Sequence, residues 1–134
     1  MHRQLIVHRD LKLENIFMSD FTSDAKVQIG DFGSAIKLTS PQQKVKFRIG
    51  TAGFIAPEVA ERQPYSFKTD IFSLGCIMYT VLFGESPFWS DDSQERERLL
   101  LDRNMVFTPS ALSALNHYLS KDCTSLITQM LEKD

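Results

Sequence analysis

The chain has 134 residues, 43% of them hydrophobic and 24% charged, with a formal net charge of −2. That length carries one hydrophobic core and excludes a second independent domain, the composition excludes a disordered chain, and the mild negative charge gives no reason to expect nucleic acid. Cys76 and Cys123 make neither a disulfide framework nor a zinc site, and the longest apolar run, 71–83, has thirteen residues interrupted by Ser73, Gly75 and Thr80, short of the roughly 20 that a membrane span needs. Met1-His2-Arg3-Gln4 does not resemble a secretory leader, so a reducing, intracellular and cytoplasmic setting is the default expectation.

Taken in order, Leu5, Ile6 and Val7 run without cap or turn into His8-Arg9-Asp10-Leu11-Lys12-Leu13-Glu14-Asn15. Here the chemistry concentrates. An Asp can accept the proton of an incoming hydroxyl, a Lys can neutralise phosphate charge, and an Asn oxygen can ligate magnesium, a combination suited to phosphoryl transfer. The plain alternative is a charged surface turn between two apolar runs. Ile16-Phe17-Met18 and Ala25-Lys26-Val27-Gln28-Ile29, separated by the polar stretch 19–24, predict a hairpin that sets Asp31-Phe32-Gly33 beside this loop. In that triplet the Asp supplies a carboxylate for magnesium, the Phe packs, and the Gly lets the backbone turn; the alternative is a turn with a buried Phe.

Residues 34–49 read as loop. Lys44, Lys46 and Arg48 alternate with Val45 and Phe47, which favours a solvated strand edge over a phosphate-binding strip. In Ala56-Pro57-Glu58, Pro57 suits the first helical position and Glu58 the first turn. Residues 67–83 are apolar on nearly every face, as in a helix buried at the centre of a helical core. Asp70 near its start needs partners, which the backbone amides of the 8–15 loop would supply, unless it is only an amino-terminal helix charge. Gly84 to Phe88 ends this helix. An amphipathic charged helix starts at Asp91-Asp92-Ser93 and runs to about Asp102, a loop surrounds Thr108-Pro109-Ser110, and a last helix covers 120–131 with Leu126, Ile127, Met130 and Leu131 on its apolar face. The expected fold is mainly α, within an α+β class, with a short β-hairpin and a central buried helix.

With His8-Arg9-Asp10 through Asn15, Asp31-Phe32-Gly33 and Ala56-Pro57-Glu58 in that order, the chain resembles the carboxy-terminal lobe of a eukaryotic-type protein kinase, over essentially all 134 residues. Lys12 and Gly50-Thr51 look like the serine/threonine pattern, and Pro64 to Gly75 is similar to the calcium/calmodulin-dependent group. The resemblance implies Asp10 as general base, Lys12 on the transferred phosphate, and Asn15 and Asp31 as magnesium ligands, with Gly33 beside them at the nucleotide. It implies that Thr51 hydrogen-bonds Asp10 and Lys12, and that Asp70 holds backbone amides near His8 and Arg9. His8 and Phe32 would belong to a stacked spine linking two lobes, Glu58 would meet an arginine, and Glu14 and Phe54 would face the substrate. The implied co-substrate is ATP with Mg2+ and the implied partner a protein substrate, with neither nucleic acid nor membrane.

Several family features have no counterpart in these 134 residues. The glycine-rich loop, the strand lysine and its helix glutamate belong to an amino-terminal lobe, so the chain is expected to be a partial kinase domain, cut at both ends and inactive as written. Four residues before Thr51, where a phosphorylated side chain is usual, stands Phe47, and Ile36 stands where a basic residue is frequent. Arg9 would then have no phosphate to hold unless Thr39 or Ser40 supplies one. Two function classes stay open: a serine/threonine kinase lobe completed by an amino-terminal lobe or another partner, and a non-catalytic binding or scaffold module.

Overall fold

Four short strands carry the loops that matter: β1 (Ile6–Val7), β2 (Ile16–Met18), β3 (Val27–Ile29) and β4 (Ile36–Lys37) in a computed structural model that describes residues 1–133. β2 and β3 form the expected hairpin, with Ile16 opposite Ile29, Phe17 opposite Gln28 and Met18 opposite Val27. β1 pairs antiparallel with β4, Val7 opposite Ile36, and Leu38 N–H donates to Leu5 O at 2.8 Å. This second pair corrects the reading of 34–49 as loop. A two-residue strand shows no alternation, and its partner lies about thirty residues upstream, so no local signal announces it.

The helices are α1 (Pro57–Ala60), α2 (Lys68–Phe83), α3 (Ser93–Leu101), α4 (Pro109–Leu115) and α5 (Lys121–Met130). Each of the last three begins on a side-chain cap that satisfies an orphan amide. Asp92 accepts from Gln94 N–H at 2.9 Å, Thr108 from Ala111 N–H at 3.1 Å, and Ser120 from Cys123 N–H at 3.2 Å. α4 is a second correction, because a loop was expected around Thr108-Pro109-Ser110. A capping Thr followed by Pro is itself a helix start signal. What hid the helix is its length, too short to show an apolar period, and it is secured by fully buried Leu112 and packing on α5.

α2 ends on Gly84, whose φ of 84° lets its N–H close back on Thr80 O at 2.9 Å. It buries Asp70, Phe72, Cys76, Ile77 and Tyr79, yet Ile71 is 41% and Val81 67% exposed. The expectation of burial on every face is therefore corrected. α2 packs closely against α5 through Gly75, where an added Cβ would lie 2.9 Å from Met130 Cβ. In α5, Ile127 and Leu131 are buried and Met130 is half-buried, but Leu126 is exposed.

Phe72 stacks on Phe88 at 5.7 Å, and Phe107 meets Phe88 and Tyr79 edge-on at 5.6 and 5.5 Å. Burying Phe72 and Phe88 stabilises the fold by about 1.5–3 kcal/mol each. Among the described residues no helix is long and apolar enough to cross a membrane.

Candidate active site

The site is assembled from two chain segments tied to the start of α2. Asp70 is 1% exposed, so its carboxylate must be fully satisfied. Its Oδ1 accepts from Arg9 N–H at 2.9 Å, and its Oδ2 accepts from His8 N–H at 2.9 Å and from His2 Nε2 at 2.8 Å. The two amides fix the backbone entering the loop, where Arg9 takes φ 70°, a costly conformation for a side chain of its size. The Arg9 side chain is also held, Nε donating to Ser34 O at 2.6 Å.

His8 is fully buried. Its Nδ1 receives Asp10 N–H at 3.4 Å, so the proton sits on Nε2, which donates to Gly30 O at 3.0 Å. Its ring lies 5.0 Å from that of Phe32. Gly30 is gripped from the other side as well, its N–H donating to Asn15 O at 2.9 Å. The residue after it, Asp31, is thereby delivered to the same end of the hairpin as Asn15. Asp31 takes φ 54° and its Oδ1 accepts from Gly33 N–H at 3.2 Å, a local bond that makes the left-handed conformation tolerable for an Asp.

Asp10, Lys12 and Thr51 meet in one hydrogen-bonded cluster. Thr51 Oγ1 donates to Asp10 Oδ1 at 2.6 Å and accepts from Lys12 Nζ at 3.3 Å, while Lys12 Nζ lies 3.4 Å from Asp10 Oδ2. Forty residues of chain separate the two sides, and they approach so closely that a Cβ on Gly50 would lie 3.0 Å from Arg9 O. The φ of Gly50, 130°, is one only glycine adopts without strain.

Buried Asn15 donates from Nδ2 to Asp10 O at 2.9 Å, so its amide oxygen is the atom it could offer a cation. Together with the exposed Asp31 carboxylate it gives two hard oxygen donors, a set that fits magnesium, which takes few protein ligands and completes its shell with phosphate and water. Among the described residues no three of His, Cys, Asp and Glu gather as an all-protein metal cage.

Glu14 is exposed, whereas Phe54 is half-buried and packs on the core, its carbonyl accepting from Ser73 Oγ at 2.7 Å. Glu58 opens α1 as the first-turn acid. Phe47 is 64% exposed and carries no hydroxyl. A cavity of about 290 Å3 opens beside the Gly50–Gly53 turn, between it and α3, where Arg48 pairs with Glu97 at 3.0 Å. The Asp10–Asn15–Asp31 group lies outside that cavity; Phe32 beside it is exposed, as are Phe17 on one side of the β2–β3 hairpin and Met18, Val27 and Ile29 on the other. The partnership of His2 with Asp70 was not anticipated, and across 68 residues no sequence pattern could have shown it.

A protein kinase domain is what this arrangement matches: the family so described covers residues 1–134, and the chain belongs to it. Its relatives include the serine/threonine-protein kinase PLK1 of Xenopus tropicalis, 37% identical over the whole chain and 21% of that protein. The serine/threonine-protein kinase polo of Drosophila melanogaster is 44% identical over 66% of the chain and 15% of that protein. A probable myosin light chain kinase of Dictyostelium discoideum is 37% identical over the whole chain and 26% of that protein. The chain spans about a fifth of the length of the curated relatives it matches.

Proposed function

We propose that these residues form the carboxy-terminal, catalytic lobe of a serine/threonine protein kinase, which transfers the γ-phosphate of ATP to a protein hydroxyl once a second lobe covers the nucleotide. The observation that carries this reading is the three-way contact of Thr51 Oγ1 with Asp10 and Lys12. It aims the Asp10 carboxylate, with the Lys12 amine beside it. Asp10 takes the proton of the acceptor hydroxyl as its oxygen bonds to the γ-phosphorus, the bond to the β-phosphate oxygen breaks, and ADP leaves. Lys12 offsets charge on the phosphoryl oxygens in transfer. Asn15 and Asp31 would hold Mg2+, which when bound neutralises phosphate charge. Gly33 keeps the Asp31 turn in shape, Asp70 and His8 hold the loop, and the family likeness assigns Glu14 and Phe54 to the protein substrate.

In the full-length protein, Asp10→Asn and Asp31→Ala are each expected to lower phosphate transfer to a basic peptide at least a hundredfold, with the fold retained by circular dichroism. Undiminished turnover in either would refute the assigned role. The apolar open face around Phe17 and Phe32 favours a second reading, a non-catalytic binding module, and retained partner capture with no transfer in the unmutated protein would select it. The stretch Pro64 to Gly75 supports a place in the calcium/calmodulin-dependent group, although PLK1 and the probable myosin light chain kinase match at the same 37%. Stimulation of the same assay by calcium and calmodulin decides between them. An intracellular setting goes with this function, as do Cys76 and Cys123, both unpaired thiols.

A further inference from the structure

We infer that Tyr65 is a positioning residue that holds the Val45–Thr51 segment, and through it Thr51, in register with Asp10. Tyr65 is 3% exposed and engages the segment three times. Its N–H donates to Val45 O at 2.9 Å, its O accepts from Val45 N–H at 3.0 Å, and its Oη donates to Phe47 O at 2.8 Å. From Phe47 the chain runs four residues to Thr51, whose hydroxyl bonds Asp10. Five residues beyond Tyr65 in the other direction, Asp70 holds the amides of His8 and Arg9. One short stretch at the start of α2 thus anchors both halves of the site, the loop bearing Asp10 through Asp70 and the segment bearing Thr51 through Tyr65.

The arrangement accounts for a segment fixed without an added phosphate. Phe47, at the position four before Thr51, contributes only its carbonyl, and Arg9 Nε is already occupied by Ser34 O. A further side-chain tie, Arg48 to Glu97, joins groups each more than two-fifths exposed and is worth little in water. The phenol bond is made by a buried ring to a backbone carbonyl, so it is the geometrically fixed restraint.

This inference rests on the kinase reading, and the test separates the two. In the full-length protein, Tyr65→Phe keeps the ring and both backbone bonds and deletes only the Oη–H donor. It is expected to lower kcat for peptide phosphorylation about three- to tenfold, the range for one lost hydrogen bond acting in the transition state, with the ATP KM unchanged and the protein still fully folded at the assay temperature. In a Thr51→Ala background the same substitution is expected to cost nothing further, because its effect passes through Thr51. Full activity of Tyr65→Phe, or an undiminished additional loss in the Thr51→Ala background, overturns the inference. Asp10→Asn serves as the control: if it is inactive while Tyr65→Phe is unaffected, this inference alone fails, and if Asp10→Asn retains turnover, the kinase reading fails and carries this one with it.

Discussion

Asp70 shows what a single side chain does in this molecule. One buried carboxylate takes the amides of two successive loop residues and the imidazole of His2, so both of its oxygens are committed. An amide in its place can accept at only one atom, and its NH2 would face an N–H donor. Asp70→Asn is therefore expected to destabilise the fold by about 1–3 kcal/mol, the cost of a buried donor left unsatisfied. Chemical denaturation of the variant measures it, and a loss under about 0.5 kcal/mol would show that the loop holds its conformation by other means. The same logic explains why Arg9 and Asp31 can occupy positive φ: the bonds from Asp70 and Ser34, and the local bond from Gly33, offset the strain.

Among the elements, the pairing of α2 with α5 is the most sensitive contact. Ala at position 75 would gain helix propensity of about 1 kcal/mol over Gly. Its Cβ, however, would sit 2.9 Å from Met130 Cβ and 3.1 Å from Leu131 Cδ2. Met130 Cβ belongs to the α5 framework and cannot swing aside, so the helices must separate, which costs about 1–3 kcal/mol. The steric term wins. Gly75→Ala is expected to lower the melting temperature, and a rise would mean that α5 shifts freely on α2. The β1–β4 pair depends on a distant partner in the same way, since each strand has only two residues and would not hold as an isolated ribbon.

For the whole molecule, the decisive feature is the open face. Asp31 and Phe32 are exposed there, and so are Phe17, Met18, Val27 and Ile29 on the two sides of the adjoining β2–β3 hairpin; the sequence contains no phosphate-covering glycine-rich motif. Kinase catalysis is mostly positioning and electrostatic stabilisation of the triphosphate, and two oxygen donors without phosphates make a weak magnesium site. The 134-residue chain by itself is accordingly expected to transfer no measurable phosphate from ATP to a basic peptide, and to bind a hydrophobic dye at the uncovered face. Radiolabelled transfer, with Asp10→Asn as control, checks the first expectation. Turnover that vanishes in the control would show that the lobe suffices.

The identity of the chemistry was legible in the sequence because it depends on residue type at short spacing: Asp10, Lys12 and Asn15 within one loop, and Asp31 directly after a strand. The β2–β3 hairpin and the long α2 were legible for a similar reason, being set by local alternation, turn residues and a sustained apolar run. Only the tertiary structure decided the rest. It brought His2 onto Asp70 and Tyr65 onto Phe47, contacts between segments too far apart for any periodic pattern to link, whereas the contact of Thr51 with Asp10 was already implied by the kinase motifs. It also exposed Ile71, Val81 and Leu126, whose hydrophobicity predicted burial, because which side of a helix is covered depends on what packs there. In α4, a capping Thr and a Pro announced a helix that became visible only when Leu112 was seen buried against α5.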